Sequence, residues 1–184
     1  LNFLEDKPLI DACLAGERAA QYTLYKKYAK AMYNVCLRIV NDKMDAEDVM
    51  QMGFVVVFKK LNSFRYESTL GAWIKRIMVH QCITFLRSKK MEWVSDDNIP
   101  ESIEEIEHND VEYNVQVIKD AMVFLSDGYR SIFTLYAIEG YDHVEISQIL
   151  NISENTSKSQ YSRAKVKLHD IIKSNGLKHK IFNS

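Results

Sequence analysis

Residues 151–168 read NISENTSKSQYSRAKVKL. Tyr161, Ala164, Leu168 and Ile171 recur at steps of three and four, which places them on one face of a helix. Ser153 stands just ahead of the run and is suited to cap the helix by accepting backbone N–H groups. Between the apolar positions fall Lys158, Ser159, Ser162 and Arg163. Long cations and short hydroxyls on one surface match a wall of phosphates and base edges: cations hold the backbone and small polar groups reach into the groove. Taken alone, the same pattern also describes an ordinary solvated amphipathic helix.

The residues upstream complete a motif. His143 to Leu150 predicts a short helix, Asn151 a tight turn and Glu154 to about Ile172 a longer helix. These are the proportions of a helix-turn-helix, whose second helix lies in the major groove. Ser147 is small enough for two helices to cross closely. Asn151 tolerates the left-handed backbone that such a turn needs, and Ile149, Leu150 and Ile152 supply an apolar hinge.

Bulk properties narrow the class. The chain has 184 residues, enough for one sizeable core or two small ones. With 47% hydrophobic and 27% charged residues the composition is globular, and six Gly and two Pro leave few breaks in helical structure. An all-α fold is expected. No stretch is apolar enough to cross a membrane, and no signal-peptide pattern opens the sequence, so a cytoplasmic chain without membrane insertion is expected. Cys13, Cys36 and Cys82 are odd in number and widely spaced, which favours reduced thiols packed as small hydrophobes.

Net charge is −1, but its distribution is uneven. Between Lys59 and Lys90 stand eight Lys/Arg against one acid; from Glu92 to Glu112 stand nine acids and no Lys or Arg. From Glu154 to Lys180 seven Lys/Arg face two acids. Two basic blocks around an acidic strip point to polyanion partners for the basic blocks.

The apolar periodicity predicts further helices over Glu17 to Asn41, Asp45 to about Leu61, and Leu70 to Lys90. Ser68 or Thr69 caps the third, and the loop Asn62 to Ser68 precedes it. Two more follow around Val115 to Leu125 and Tyr129 to Ala137, the latter ended by Gly140. Trp93 to Asn109 has little periodicity and reads as a linker. The expected organisation is a helical domain over residues 1–91, an acidic linker over 92–112 and a helix-turn-helix domain over 113–184.

Three stretches together carry a resemblance. DAEDVMQMGFVVVFKKLNSF from Asp45, STLGAWIKRI from Ser68 and EISQILNISENTSKSQYSRAKVKL from Glu145 are similar, in order and spacing, to the sigma factors of bacterial RNA polymerase. The small extracytoplasmic-function (ECF) group of the sigma-70 family resembles the chain best, over roughly Ala19 to Lys90 and Val115 to Lys173. The resemblance implies a promoter-specificity subunit, not an enzyme and without cofactor or metal. It would bind core RNA polymerase, recognise promoter DNA and help open it. Its two domains would bridge promoter elements about two helical turns apart, one read as duplex and one as a melted strand.

Residue by residue, the resemblance puts Asp45, Asp48, Gln51, Phe54 and Phe58 on a face that docks on the polymerase. Helix-dipole stabilisation is the plainer reading of Asp45, and core packing that of Phe54 and Phe58. Met52 stands where the family usually has an acid. Promoter melting falls to Phe64, Arg65, Tyr66, Ser68, Trp73, Lys75, Arg76 and His80, because an extruded base needs aromatic surface and its backbone needs cations. Trp73 also reads as a core anchor. The family often has Asn at the place of His80. Thr156, Lys158, Ser159, Gln160, Arg163 and Lys165 would meet the duplex element, with Arg163 suited to a guanine edge or a phosphate. Ser157 replaces a usual Val and is expected to loosen the local core. The acidic linker would mimic nucleic acid along the polymerase's RNA path. Members of the group are often held inactive by an anti-sigma factor, a further partner class.

Two other classes compete. A stand-alone helix-turn-helix regulator explains Glu145 to Leu168 but leaves the Asp45 helix and the Phe64 to Arg76 region without a purpose. For an enzyme, His80 with Cys82 and His108 with Asp110 are the nearest clusters. Neither forms an HExxH, a paired-Cys metal site, a P-loop or a nucleophile elbow.

Overall fold

The computed structural model describes residues 5–89 and 115–174. The linker expected over 92–112 lies outside them. The chain divides into two compact units, residues 1–90 and 91–184. All regular structure among the described residues is helical.

In the first unit, α1 spans Lys7–Leu14, α2 Arg18–Val40, α3 Lys43–Lys60 and α4 Leu70–Ser88. Local chemistry accounts for the breaks. Asn41 ends α2 in the left-handed region at φ 61°, and Asp42 then caps α3 by accepting the Asp45 N–H at 2.9 Å. A single 3-10 turn, Leu61–Ser63, closes α3. Thr69, one of the two expected caps, accepts the Ala72 N–H at 3.2 Å and starts α4. The short α1 escapes the sequence reading. With eight residues it holds too little periodic pattern to stand out, although Pro at its first turn fits a helix start.

Helices α2, α3 and α4 pack on one another, and α1 lies against α2. Leu24 and Ile39 from α2, Val57 from α3 and Ile74, Met78 and Ile83 from α4 are fully buried between them. Each such aliphatic side chain contributes roughly 1.5–3 kcal/mol of transfer free energy. Cys13, Cys36 and Cys82 are buried free thiols, and a bond to Cys36 together with burial pushes the Cys82 thiol well above its ordinary pKa. The helices come closest at Gly53, where an added β-carbon would overlap the Met78 sulfur.

The second unit contains α5 (Val115–Met122), α6 (Asp127–Phe133), α7 (His143–Leu150) and α8 (Glu154–Ser174). Helix α6 runs into a π turn, Thr134–Ile138, in which Glu139 N–H reaches back five residues to Thr134 O at 2.9 Å. Gly140, at φ 79°, then reverses the chain. The single helix read over Tyr129 to Ala137 is therefore two helical geometries, which apolar spacing does not distinguish. Helix α8 packs against α5, α6 and α7. Its buried stripe is Ser157, Ala164, Leu168 and Ile172, with Tyr161 half-buried. Ile172, not Ile171, carries the deep position. It meets Val117, Met122, Leu125, Tyr129 and Phe133 in one core.

Gly53→Val should overpack the α3–α4 contact by about 1–3 kcal/mol. Thermal melting should then show the first unit's midpoint lowered by roughly 5–15 °C. Adding Met78→Ala should recover part of that loss.

Candidate nucleic-acid and polymerase interfaces

Helix α3 is two-faced. Ala46, Val49, Met50, Gly53, Phe54 and Val57 are buried. The opposite side carries Met44, Asp48, Gln51, Met52 and Val55, all exposed. Met44 is 79% exposed, Met52 64% and Val55 53%. An apolar strip of this kind around two polar groups is what a partner surface looks like. Asp48 and Gln51, two of the expected docking residues, lie exposed in it. Met44 and Val55 were missed, though they lie four residues before Asp48 and four after Gln51, on the same face.

The remaining docking candidates are placed differently. Phe54 is a core residue at 3% exposure, packed edge-on against Tyr25 at 4.8 Å, so its plainer reading holds. Phe58 is half-buried beside it, with ring centroids 6.4 Å apart. Asp45 pairs with Lys89 at 2.5 Å and ties the start of α3 to the end of α4. A partly exposed pair of this kind is worth only about 0–1 kcal/mol, but it turns the carboxylate toward its own domain.

Between α3 and α4 an aromatic knot holds the loop. The Phe64 ring lies 4.8 Å from Tyr66 and 5.4 Å from Trp73. Phe64 is buried and anchors the knot, while Tyr66 and Trp73 are half-buried. Tyr66 adopts φ 59°, a left-handed backbone that an aromatic residue takes only under constraint. Such strain costs roughly 1–3 kcal/mol and persists where the surroundings over-determine it. Arg65 and Arg76 are exposed, Lys75 and Ser68 half-buried. The Ser68 hydroxyl bonds the Thr69 carbonyl at 3.3 Å.

His80 lies along α4 in the same basic field. Burial, then the charges of Arg76, Lys60 and Arg87, hold its imidazole below the ordinary value of 6.5. Folding thus disfavours its protonation, so its contribution to stability is full above 6.5 and falls as pH drops toward the lowered pKa. A phosphate nearby would push the other way.

In the second unit, Asp142 and Glu145 form a reciprocal capping box on α7, with bonds of 2.8 and 3.0 Å. Asn151 makes the turn at φ 50°, and Ser153 caps α8 through the Thr156 N–H at 2.9 Å. Ser157 corrects an expectation. It is fully buried, but His143 Nδ1 lies 2.9 Å from its hydroxyl, so the polar atom is satisfied and joins α7 to α8. The imidazole in turn stacks on Tyr136 at 4.3 Å. The local core is cross-linked here, not loosened.

Thr156, Lys158 and Lys165 are exposed on α8, and Ser159, Gln160 and Arg163 half-buried. Thr156 Oγ1 is engaged with Ser153 Oγ at 2.7 Å, as part of the cap. Lys158 pairs with Glu154 at 2.7 Å, and the Lys165 ammonium lies 5.3 Å from the centre of the Tyr161 ring. Both contacts are surface ones that a phosphate could replace at little cost.

Two family profiles match the chain: sigma-70 region 2 over residues 24–92 and sigma-70 region 4 over residues 116–168. The chain belongs to the sigma-70 family. Its relatives place it in the ECF group. The ECF RNA polymerase sigma factor SigM of Mycobacterium tuberculosis is 24% identical over 89% of this chain and 82% of its own length. The protein of the same name from Bacillus subtilis is 28% identical, over 79% of this chain and 90% of its own. In fold, the chain is similar to the sigma factor RpoE, solved in complex with the anti-sigma factor NepR from Bartonella quintana. The TM-score is 0.56 at 24% identity, covering 83% of this chain and 96% of that one. CnrH, solved with the cytosolic domain of CnrY, matches with a TM-score of 0.54 at 20% identity, over 92% and 97%.

As an ECF-type sigma factor the protein is a promoter-specificity subunit with no chemistry of its own. Region 2 contains the two-faced α3 and the aromatic loop, and region 4 contains the helix-turn-helix. No helix among the described residues is long and apolar enough to cross a membrane.

An NMR titration should find the His80 midpoint in the free sigma factor below 6.5, moving upward when DNA is bound. A midpoint that stays put on DNA would remove His80 from the phosphate path.

Proposed function

We propose that this sigma factor docks on core RNA polymerase through the outward face of α3, with Asp48 and Gln51 as the polar contacts and Met44, Met52 and Val55 as the apolar ones. The exposure of that strip is the observation that carries the proposal. Burying three such side chains against a partner is worth several kcal/mol by apolar transfer, and two polar groups among them select orientation and partner. Phe54 and Phe58 support the face from beneath, and Asp45 supports it through Lys89.

Promoter opening then falls to the loop Phe64 to Thr69 and the start of α4. A base leaving the stack finds the open faces of Tyr66 and Trp73, while Arg65, Lys75, Arg76 and His80 follow its backbone. The duplex element is read by α8, where Ser159, Gln160 and Arg163 approach base edges and Thr156, Lys158 and Lys165 hold phosphates. Residues 92–112 join the two functional domains, 1–91 and 113–184. The protein works in the cytoplasm, where its polymerase is. An anti-sigma protein is a further expected partner, a reading supported by the complex with an anti-sigma factor in which RpoE was solved.

Co-elution of the purified chain with core polymerase from the same source tests the assignment. The paired change Asp48→Ala and Gln51→Ala should abolish that complex and leave the helical content unaltered. Normal assembly would remove the α3 face and favour a stand-alone DNA-binding regulator. Separately, Arg163→Ala should weaken binding to the best promoter by roughly 1–3 kcal/mol and relax selectivity at one base position. A uniform loss on all DNA would instead make Arg163 a phosphate contact.

A further inference from the structure

Tyr28 stands in the middle of α2, away from both faces assigned above. Its hydroxyl donates to Asp6 Oδ2 at 2.7 Å. The other carboxylate oxygen of Asp6 accepts from Lys27 Nζ at 2.6 Å. Asp6 immediately precedes α1, so these two bonds fasten the start of α1 to α2.

The Tyr28 ring meets the second residue of α4. A β-carbon on Gly71 would stand 3.0 Å from Tyr28 Cε1, tighter than ordinary van der Waals contact. A glycine inside a helix costs stability, and the closeness of this ring is the reason a larger residue does not fit. Helix α1 also touches the Leu61–Ser63 turn. The strained loop is therefore bounded at its start by a turn that α1 contacts, and at its end by a helix that Tyr28 contacts.

We infer that Asp6, Tyr28 and Gly71 form a latch that holds the loop Phe64 to Thr69 in its strained form, which makes Tyr28 a positioning residue for promoter opening. Helix α1 lies outside the residues matched by the region 2 profile, 24–92, yet it is part of the opening apparatus. The inference rests on the promoter-opening reading of that loop. The latch keeps one protonation state near neutral pH. Burial works to raise the Asp6 carboxyl, but the bonds from Lys27 and Tyr28 outweigh it and hold it below 3.8. Burial and the bond to Asp6 push the Tyr28 phenol far above its ordinary value, so it remains the donor.

The test uses the full chain with Tyr28→Phe, Asp6→Asn and Gly71→Ala. Asp11→Asn serves as a control on the exposed side of α1. Amide hydrogen exchange of residues 64–69 is measured first in the free protein. Opening is then followed by permanganate reactivity on a promoter fragment mapped with the wild-type holoenzyme, as duplex and with its melted region pre-opened by mismatches. The latch variants should exchange the loop amides at least roughly threefold faster, with the α2, α3 and α4 core amides unchanged. Duplex opening should fall by about three- to tenfold in Tyr28→Phe, the loss expected for one hydrogen bond, and in the same direction in Asp6→Asn and Gly71→Ala. The pre-opened fragment and core binding should be restored to near wild-type levels, and Asp11→Asn should resemble wild type throughout.

Unchanged loop exchange and opening would overturn the latch. So would equal losses on duplex, on pre-opened DNA and in core binding, since these would mean general destabilisation. A wild-type chain that binds core polymerase but opens no promoter would overturn the reading of the loop instead, while the exchange result still judges the latch.

Discussion

The near-contact of Gly53 and Met78 sets the geometry of the first unit. Because α3 has no side chain at that point, α4 comes close enough for Met78 to be fully buried against it. That approach decides which stripe of α3 points inward. Once Ala46, Val49, Phe54 and Val57 face the core, Asp48, Gln51, Met52 and Val55 must face out, since a helix has only one direction opposite its buried side. Six residues, Phe64 to Thr69, connect the turn that closes α3 to the start of α4. The exposed face of α3 thus follows from the packing of α3 on α4.

The second unit solves a different problem. A recognition helix has to present polar residues outward while its partner helix holds it at a defined angle. Here a polar bond does part of that work: His143 meets the buried Ser157 hydroxyl, and Tyr136 and Tyr161 pack around the imidazole. A buried hydroxyl without a partner would cost about 1–3 kcal/mol, so the two residues are intelligible only as a pair. The bond is directional, and it specifies the α7–α8 crossing more narrowly than an aliphatic contact would.

Charge and strain are concentrated around the loop between α3 and α4 and along α4. Burial first, then the charges of Arg76, Lys60 and Arg87, hold the His80 imidazole below its ordinary value, so its surroundings on α4 are basic. Tyr66 holds a backbone that its residue type disfavours. Both features sit in region 2 between core packing and solvent. A polyanion would relieve the first, and an extruded base would find the second already arranged.

The sequence alone determined the long helices, the Ser153 cap and the helix-turn-helix, because period, N-cap chemistry and Asn turns act within a few residues. It also determined the family, because three motifs recur in order. Asp48, Gln51, Lys158 and Lys165 were legible as exposed residues for the same reason. What only the tertiary structure decided is which of two equivalent readings an apolar or small residue takes. Phe54 and Phe64 went to the core while Tyr66 and Trp73 stayed half-buried. Ser157 found His143 fourteen residues away, and Tyr28 found Asp6 and Gly71. Those outcomes depend on residues distant along the chain that meet only when helices pack, and no local pattern encodes the distance between them.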